Sequence, residues 1–405
     1  MQTPLRVIFV NRFFHPDHSA TSQLLSDLAF FLARRGWQVH VITSRLRYDN
    51  PVNPLPARET VQGVQVMRVW STRFGRSGVP GRLADYLSFY LASAWAAFAL
   101  ARSGDLVVAK TDPPMLSAIV GPVVWLRRAI LITWLQDVFP EVAAALGLAL
   151  AQGMPGRMLA RWRDATLRLA AVNVVIGEGM AIRLRNAVPA IRVQVIPNWV
   201  DDAIIKPLRA LENPLRNEWG LIGKFVVGYS GNMGRAHSLA PILRAAVLLR
   251  SDPNVVFLLI GDGTGRLALE AEARATGLVN VIFKPYQPRE RLGLTLTLPD
   301  VHLVSLKPEL EDLIVPSKAY GVLAAGRPMI FMGLATGEIG SMVVKAGCGV
   351  VVPENDGESL ASSIRHLGSN APECEAMGRR ARLLLEADFS QAASLAAWET
   401  IVKNA

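Results

Sequence analysis

The sequence predicts a doubly wound α/β protein made of two successive domains. Three observations predict it. Short β-branched apolar runs alternate with stretches whose apolar residues recur at helical spacing. The chain has 405 residues, more than a single core accommodates, so two domains of roughly 200 residues are expected. The alternation breaks once, at IPNWVDDAIIKPL (196–208), and then starts again.

In the first half LRVIFV (5–10) reads as a buried strand, not as a signal peptide, because its apolar run is short and β-rich. Residues 20–35, ATSQLLSDLAFFLARR, have helical periodicity and stop at Gly36, and WQVHVITS (37–44) is strand-like again. Such a unit implies parallel pairing with a right-handed crossover. Further strands are expected at VQVMRVW (64–70), DLVVAK (105–110), AILITWL (129–135), VNVVIG (172–177) and VQVIPN (193–198). After the break come KFVVGYSG (224–231), a helix over 238–250, VVFLLIGDG (255–263), a helix over 265–276 and VIFKPY (281–286). DVHLVSL (300–306), a short helix within VPSKAYGVLAAGRP (315–328), PMIFMG (328–333) and GCGVVVP (347–353) follow, and 356–401 reads as helical.

The two cysteines, Cys348 and Cys374, lack ligand spacing. That fits a reducing compartment and argues against a disulfide framework or a zinc site. The net charge of +10 is uneven: residues 1–200 hold 22 Lys+Arg against 11 Asp+Glu, and the remainder holds 21 against 22. A basic first half suggests an anionic partner, whether membrane, phosphorylated substrate or nucleic acid. Arginine-rich, alanine-rich composition offers a second explanation.

Residues 83–101, LADYLSFYLASAWAAFALA, carry one charge, Asp85, and are flanked by Arg73, Arg76, Arg82 and Arg102. Three readings are open: a core helix, a helix lying on an anionic bilayer, and a span of marginal length.

Doubly wound sheets bind ligands beyond the carboxyl ends of their strands. In VPSKAYGVLAAGRP, Pro316 suits a first turn, Ser317 is expected to cap the helix, and Gly326 and Pro328 end it. Lys318 at the helix start would make an anion site, for which a phosphate is the expected occupant. YSGNMGRAH places Gly231, Asn232 and Gly234 in a turn after a strand, with Arg235 and His237 following. IGDGTG repeats the theme with Gly261, Asp262 and Gly263, a weak signal alone. Three such turns in one domain converge on one crevice. In KPELED, after Lys307, the acids Glu309, Glu311 and Asp312 are suited to sugar hydroxyls. In the first domain FHPDHSATSQ is a polar loop after the first strand, and WLQDVFPE sets Asp137 after a very apolar strand. An acid there is costly to bury unless used or paired. His15 and His18 read as loop residues, and no DxD or HxxxH pattern implies a metal.

These stretches together resemble the family-4 retaining glycosyltransferases of the two-domain GT-B fold. The likeness covers essentially the whole chain and is greatest to the branch that builds bacterial O-antigens, capsules and exopolysaccharides. FFHPDHSATSQLLSDLAFFLARRGWQVHVITS, WLQDVFPE, IPNWVD, YSGNMG, IGDGTG and above all VPSKAYGVLAAGRP carry it.

The resemblance implies two Rossmann-like domains facing each other across a cleft: an acceptor-binding domain at 1–198, with a membrane-facing segment near 73–102, and a nucleotide-sugar domain at 199–388. A helix at 389–405 would return to the first domain. A nucleotide diphosphate sugar, such as a UDP-sugar, would be held by the three turns with Pro316, Ser317, Lys318 and Tyr320, and its sugar by Glu311, or by Asp312 if the register slips. Two family residues are replaced. The second acidic residue falls at Gly321, and the usual Arg and Lys at the diphosphate fall at Asn232 and His237, leaving Arg235, Lys307 and Lys318 to supply the charge. Ser19, Ala20, Thr21 and Pro140 would lie on the acceptor side, with Asp137 orienting a hydroxyl or acting as base. The expected partners are the donor, a lipid-linked saccharide and the cytoplasmic face of the inner membrane, not nucleic acid; neither metal nor cofactor is expected. A UDP-sugar epimerase, a dinucleotide oxidoreductase and a non-catalytic nucleotide-sugar-binding protein are the rival readings.

Overall fold

The computed structural model describes residues 6–48, 52–75 and 78–405. Leu5 of the first expected strand and Arg76 of the arginine group lie outside the described residues. The chain divides into two compact units, one of residues 1–197 with 394–405 and one of residues 198–393.

The first unit contains β1 (Arg6–Val10), α1 (Ala20–Arg34), β2 (Gln38–Ser44), β3 (Arg58–Val61), β4 (Val64–Val69), α2 (Val79–Leu100), β5 (Leu106–Lys110) and α3 (Leu116–Leu126). It continues through β6 (Ile130–Trp134), α4 (Glu141–Ala145), α5 (Gly153–Leu169), β7 (Val172–Val175), α6 (Glu178–Ala187) and β8 (Val193–Val195). Its eight strands run in the order β3-β4-β2-β1-β5-β6-β7-β8. All neighbours are parallel except β3 and β4, a hairpin absent from the sequence reading because RETV alternates without strong hydrophobicity. The steps from β4 to β5, β5 to β6 and β6 to β7 all move the same way, and β1 to β2 moves the other way. Right-handed crossovers therefore put α2, α3 and α5 on one face of the sheet and α1 on the other.

The second unit contains α7 (Pro214–Glu218), β9 (Phe225–Ser230), α8 (Ala240–Leu248), β10 (Val255–Ile260), α9 (Arg266–Ala275), β11 (Val281–Lys284) and α10 (Leu292–Thr297). β12 (Val301–Ser305), α11 (Lys318–Ala324), β13 (Met329–Met332), α12 (Glu338–Ala346), β14 (Gly349–Val352), α13 (Gly357–Ser369) and α14 (Ala371–Asp388) follow. The six strands are parallel, in the order β11-β10-β9-β12-β13-β14. β10 and β12 are buried throughout, as expected of central strands covered on both faces. Each unit thus has a switch point where the winding reverses, at β1/β5 and at β9/β12.

The last helix, α15 (Gln391–Asn404), joins the first unit from Ser394 on. Fully buried Trp398 lies with its ring 4.6 Å from that of Trp134, and Glu399 pairs with Arg35 just beyond α1.

α2 covers residues 83–100 and has two unlike sides. Its inner side carries buried Asp85, Phe89, Ser93, Ala96 and Ala97, and Phe89, Ala96 and Ala97 join the core with Ile8, Val10 and Val107. Its outer side leaves Leu83, Leu87, Leu91 and Trp95 exposed. The core-helix reading therefore holds for the inner side of the helix. A span is excluded, because it would separate β4 from β5 by about 30 Å of hydrocarbon, whereas both belong to one sheet. Asp85 is structural. It accepts bonds from the Phe74 N–H, the Gly75 N–H and the Thr72 hydroxyl, and so ties the loop before the helix to its first turns.

Candidate functional site

In the second unit the turns after β9 and β10 interlock. Gly231 and Gly261 have φ of +134° and +139°, which side-chain-bearing residues rarely adopt. A Cβ on Gly261 would lie 2.0 Å from the Gly231 carbonyl oxygen, so only glycine permits the contact. The Met233 N–H donates to the Asp262 carbonyl (2.8 Å), and the Gly265 N–H to the Met233 carbonyl (2.9 Å). The Lys307 N–H, leaving β12, donates to the Ala236 carbonyl (3.1 Å) and brings the third turn alongside.

Lys318 lies at this junction. Gly231 makes room for it: a Cβ there would be 3.5 Å from Lys318 Cε and 3.7 Å from Nζ. The ammonium donates to the Tyr229 hydroxyl, sits 4.0 Å from the Tyr229 ring centre and reaches His237 Nε2 at 3.4 Å. The Tyr229 hydroxyl in turn donates to the Asn232 carbonyl (2.8 Å). His237 Nδ1–H donates to the Ser305 carbonyl (2.5 Å), which leaves Nε2 as an acceptor toward the lysine. Both of these partners of the ammonium, Tyr229 and His237, are neutral. Lys318 keeps some exposed surface, yet protein atoms crowd its ammonium, and burial pulls its pKa down to about 7. Burial, and then the nearby Lys318, lower that of His237 to about 3, so its imidazole is neutral.

A cavity of about 340 Å³ opens beside this cluster, lined by Gly234, Arg235, His237, Thr264, Gly265 and Lys307 among others, with no acidic residue in its lining. Between β12 and α11, the Glu311 carboxyl packs on Gly337, where a Cβ would come within 2.3 Å of it, and Oε1 is buried without a partner. Burial raises its pKa to about 7. Asp312 is exposed, with φ +61°.

In the first unit the β1/β5 switch point gathers a second polar cluster. The Arg12 N–H donates to the Asp112 carbonyl (2.7 Å), and the Thr21 hydroxyl donates to Asp112 Oδ2 (3.0 Å). Lys110, 1% exposed, donates to the Thr21 carbonyl (3.1 Å) and stands 3.6 Å from the Trp134 ring centre. The Gln136 N–H donates to the Thr111 hydroxyl (3.0 Å), which aligns the exits of β5 and β6 and with them Asp112 and Asp137. Asp137 Oδ1 is buried without a partner. Burial, then the charge of Asp112, raise the Asp137 pKa to about 7, and burial also raises that of Asp112. Burial pushes Lys110 well below the ordinary lysine value. Among the described residues, no group of three or more His, Cys, Asp or Glu side chains is placed to hold a metal ion.

Two family profiles match the chain, "Glycosyl transferase 4-like domain" over residues 21–199 and "Glycosyl transferases group 1" over residues 213–384. The chain belongs to the family-4 glycosyltransferases of the GT-B fold.

Among relatives of this glycosyltransferase, a putative colanic acid biosynthesis glycosyl transferase, WcaI of Escherichia coli K12, is 33% identical over 56% of this chain and 57% of its own. The match thus spans little more than half of that relative. A probable glycosyltransferase of Pseudomonas aeruginosa, WbjE, is 29% identical over 75% of each chain. Sucrose-phosphate synthase from Thermosynechococcus elongatus shares the fold, with a TM-score of 0.77 and 18% identity over 99% of this chain and 98% of that one. Anabaena HepE, solved with UDP and glucose, gives 0.72 and 15% over 99% and 100%. WaaG, a glycosyltransferase involved in lipopolysaccharide biosynthesis, gives 0.68 and 17% over 98% and 100%.

Of the residues expected at the glycosyltransferase's donor side, the structure brings together Gly231, Asn232, Gly234, Arg235, His237, Gly261, Asp262, Gly263, Lys307 and Lys318. Pro316 is buried before α11. Ser317 does not cap that helix as expected: its own φ and ψ, −57° and −19°, are already helical, and its side chain makes no cap bond. α11 has only seven residues, so the lysine, not the helix end, dominates the local charge. Tyr320 is 2% exposed and packs against Phe389, away from the cluster. On the acceptor side Thr21 joins the Asp112 cluster, Ser19 precedes α1 with its N–H donating to Asp17, Ala20 is exposed, and Pro140 is buried before α4. Asp112, Lys110 and Tyr229 are not among the site residues expected from the sequence. The signal for the first two was present: KTDPP closes β5 and leaves it much as QDVFP leaves β6.

Proposed function

We propose that the protein is a retaining, metal-independent glycosyltransferase. It moves a hexosyl or N-acetylhexosaminyl group from a nucleotide diphosphate sugar to a saccharide carried on polyprenyl diphosphate. The work is done at the cytoplasmic face of the inner membrane, in synthesis of a bacterial surface polysaccharide. One observation carries the donor assignment: the Lys318 ammonium is crowded by protein atoms and bonded to the neutral Tyr229 and His237, beside glycine turns that let a ligand approach the backbone. A diphosphate supplies the missing negative charge. The names of the colanic acid and lipopolysaccharide enzymes above support the pathway class, and the UDP and glucose bound to HepE support the donor class.

In this reading the acceptor oxygen bonds to the anomeric carbon from the face the diphosphate leaves. The bond from that carbon to the diphosphate oxygen breaks, its electron pair stays with the diphosphate, and the hydroxyl proton is taken up by the departing oxygen. Lys318, Arg235 and Lys307 stabilise the charge that builds on the leaving group, work that needs no metal or further cofactor. Glu311, with one oxygen unpartnered, holds a donor-sugar hydroxyl, and Asp137, in the same condition, orients the acceptor hydroxyl.

The test is incubation with labelled UDP- and GDP-sugars and a bacterial membrane extract. Lipid-linked label with the donor's anomeric configuration is expected. A changed sugar without lipid-linked label indicates an epimerase, and bound but unaltered donor a binding protein; either result overturns the proposal.

A further inference from the structure

α2, α3 and α5 pack side by side in that order on one face of the first unit's sheet. α2 exposes Leu83, Leu87, Leu91 and Trp95, one side chain per turn. α3 adds Trp125, 69% exposed. α5 repeats the stripe with Met154, Met158 and Trp162, at 68%, 62% and 44% exposure, while Gly156, Arg163, Thr166 and Leu167 on its opposite side are buried. At 1.5 Å per residue the stripe from Leu83 to Trp95 is about 18 Å long, and with a spacing of about 10 Å between helices the apolar face measures roughly 18 by 20 Å. That is the size of the largest apolar patch of an ordinary monomer, a size at which such patches are often functional.

Charge distinguishes the occupants of this face. Arg157 and Arg161 on α5 are exposed, form a stripe beside Met158 and Trp162, and make no ion pair among the described residues. The single acid on α5, Asp164, is engaged with Arg163, which also grips Glu141. The acid on α2, Asp85, is buried and committed to its loop. A second copy of the chain, meeting this face through a two-fold axis, would bring the same exposed arginines and no uncommitted acid from α2 or α5 to pair with them. An anionic lipid surface meets both features: acyl chains take the apolar stripes, and headgroups take the guanidinium groups.

We infer that α2, α3 and α5 form one bilayer-resting face, in which α5 is a second in-plane lipid helix and Arg157 and Arg161 bind anionic headgroups. The inference rests on the reading of a membrane-borne acceptor and specifies how the first unit meets that membrane.

The test is flotation of the full chain with phosphatidylethanolamine vesicles, with and without phosphatidylglycerol. The wild type should float with the anionic vesicles, and less so in high salt. R157Q/R161Q and, separately, M158S/W162S should each lower the bound fraction at least tenfold, with thermal unfolding and nucleotide-sugar binding unchanged. If both α5 variants float like the wild type, or if the wild type ignores anionic vesicles, the inference is overturned. It is also overturned if sedimentation shows a dimer that M158S/W162S dissociates, since the face then binds a second copy. Transfer to a detergent-dispersed short-chain lipid acceptor separates the two claims: if it persists while flotation fails, the transferase reading stands and the docking face falls.

Discussion

Lys318 Nζ lies 3.4 Å from His237 Nε2, although 81 positions separate the two residues in the chain. Position 237 is where the resemblance predicted a missing cation. The structure puts the ammonium of Lys318 against it from a neighbouring strand exit. The neutral imidazole accepts from the ammonium, and its other nitrogen is held by Ser305.

Donor binding should therefore depend on proton uptake. The Lys318 pKa is depressed to about 7 in the free protein, and a bound diphosphate should raise it. Affinity is then fullest below about pH 7 and falls as pH rises until it reaches the pKa of the complex. Calorimetry with a nucleotide sugar in buffers of different ionisation enthalpy should show nearly one proton taken up per site at pH 8. K318M should remove that uptake and weaken binding about 10- to 100-fold, the range for a hydrogen bond to a charged group. Unchanged uptake in K318M would assign the proton elsewhere.

Asp137 predicts a stability change of definite sign. Burial raises its pKa to about 7 from the ordinary 3.8, so the folded state loses stability as pH rises through that window, and the loss is complete above about 7. D137N should thus be more stable than the wild type at pH 8, by about 2–4 kcal/mol, with the gain vanishing toward pH 4. Transfer should meanwhile fall steeply. Urea titrations at the two pH values, with a transfer assay at pH 8, check both signs.

G261A should damage both the turn and the donor site. The new methyl would meet the Gly231 carbonyl at 2.0 Å, in a backbone region closed to alanine. A loss of about 3 kcal/mol or more is expected, with nucleotide-sugar binding reduced in whatever protein remains folded. Denaturant midpoints and a binding isotherm would show it.

W398A should destabilise the first unit although the residue lies near the C-terminus. Trp398 is fully buried and meets Trp134, whose ring also faces the Lys110 ammonium. Loss of this packing should cost about 3–5 kcal/mol, visible as a lower thermal midpoint. Binding of a nucleotide sugar at Lys318 should be unaffected below that midpoint.

The alternating strands and helices, the break near residue 198 and the two glycine-bearing turns after β9 and β10 are all legible in the sequence, because buried parallel strands and tight turns restrict residue type at each position. Other features are hidden for identifiable reasons. That Glu311 packs its carboxyl on Gly337 while Asp312 is exposed rests on a contact across 26 positions. Asp112 does not stand out because its value lies in its alignment with Asp137 across two strand exits, and strand register is absent from a linear pattern. The antiparallel β3 has too little hydrophobic contrast to be noticed.

Taken alone, the sequence determined two doubly wound units and the positions of the glycine turns in the second, since periodicity and glycine placement are local properties. Only the tertiary structure decided that Lys318 would meet the neutral Tyr229 and His237, and that one side of α2 is core while the other faces solvent. Both depend on which distant side chains surround a group, and that surrounding sets the energy of a buried charge and the fate of an apolar face.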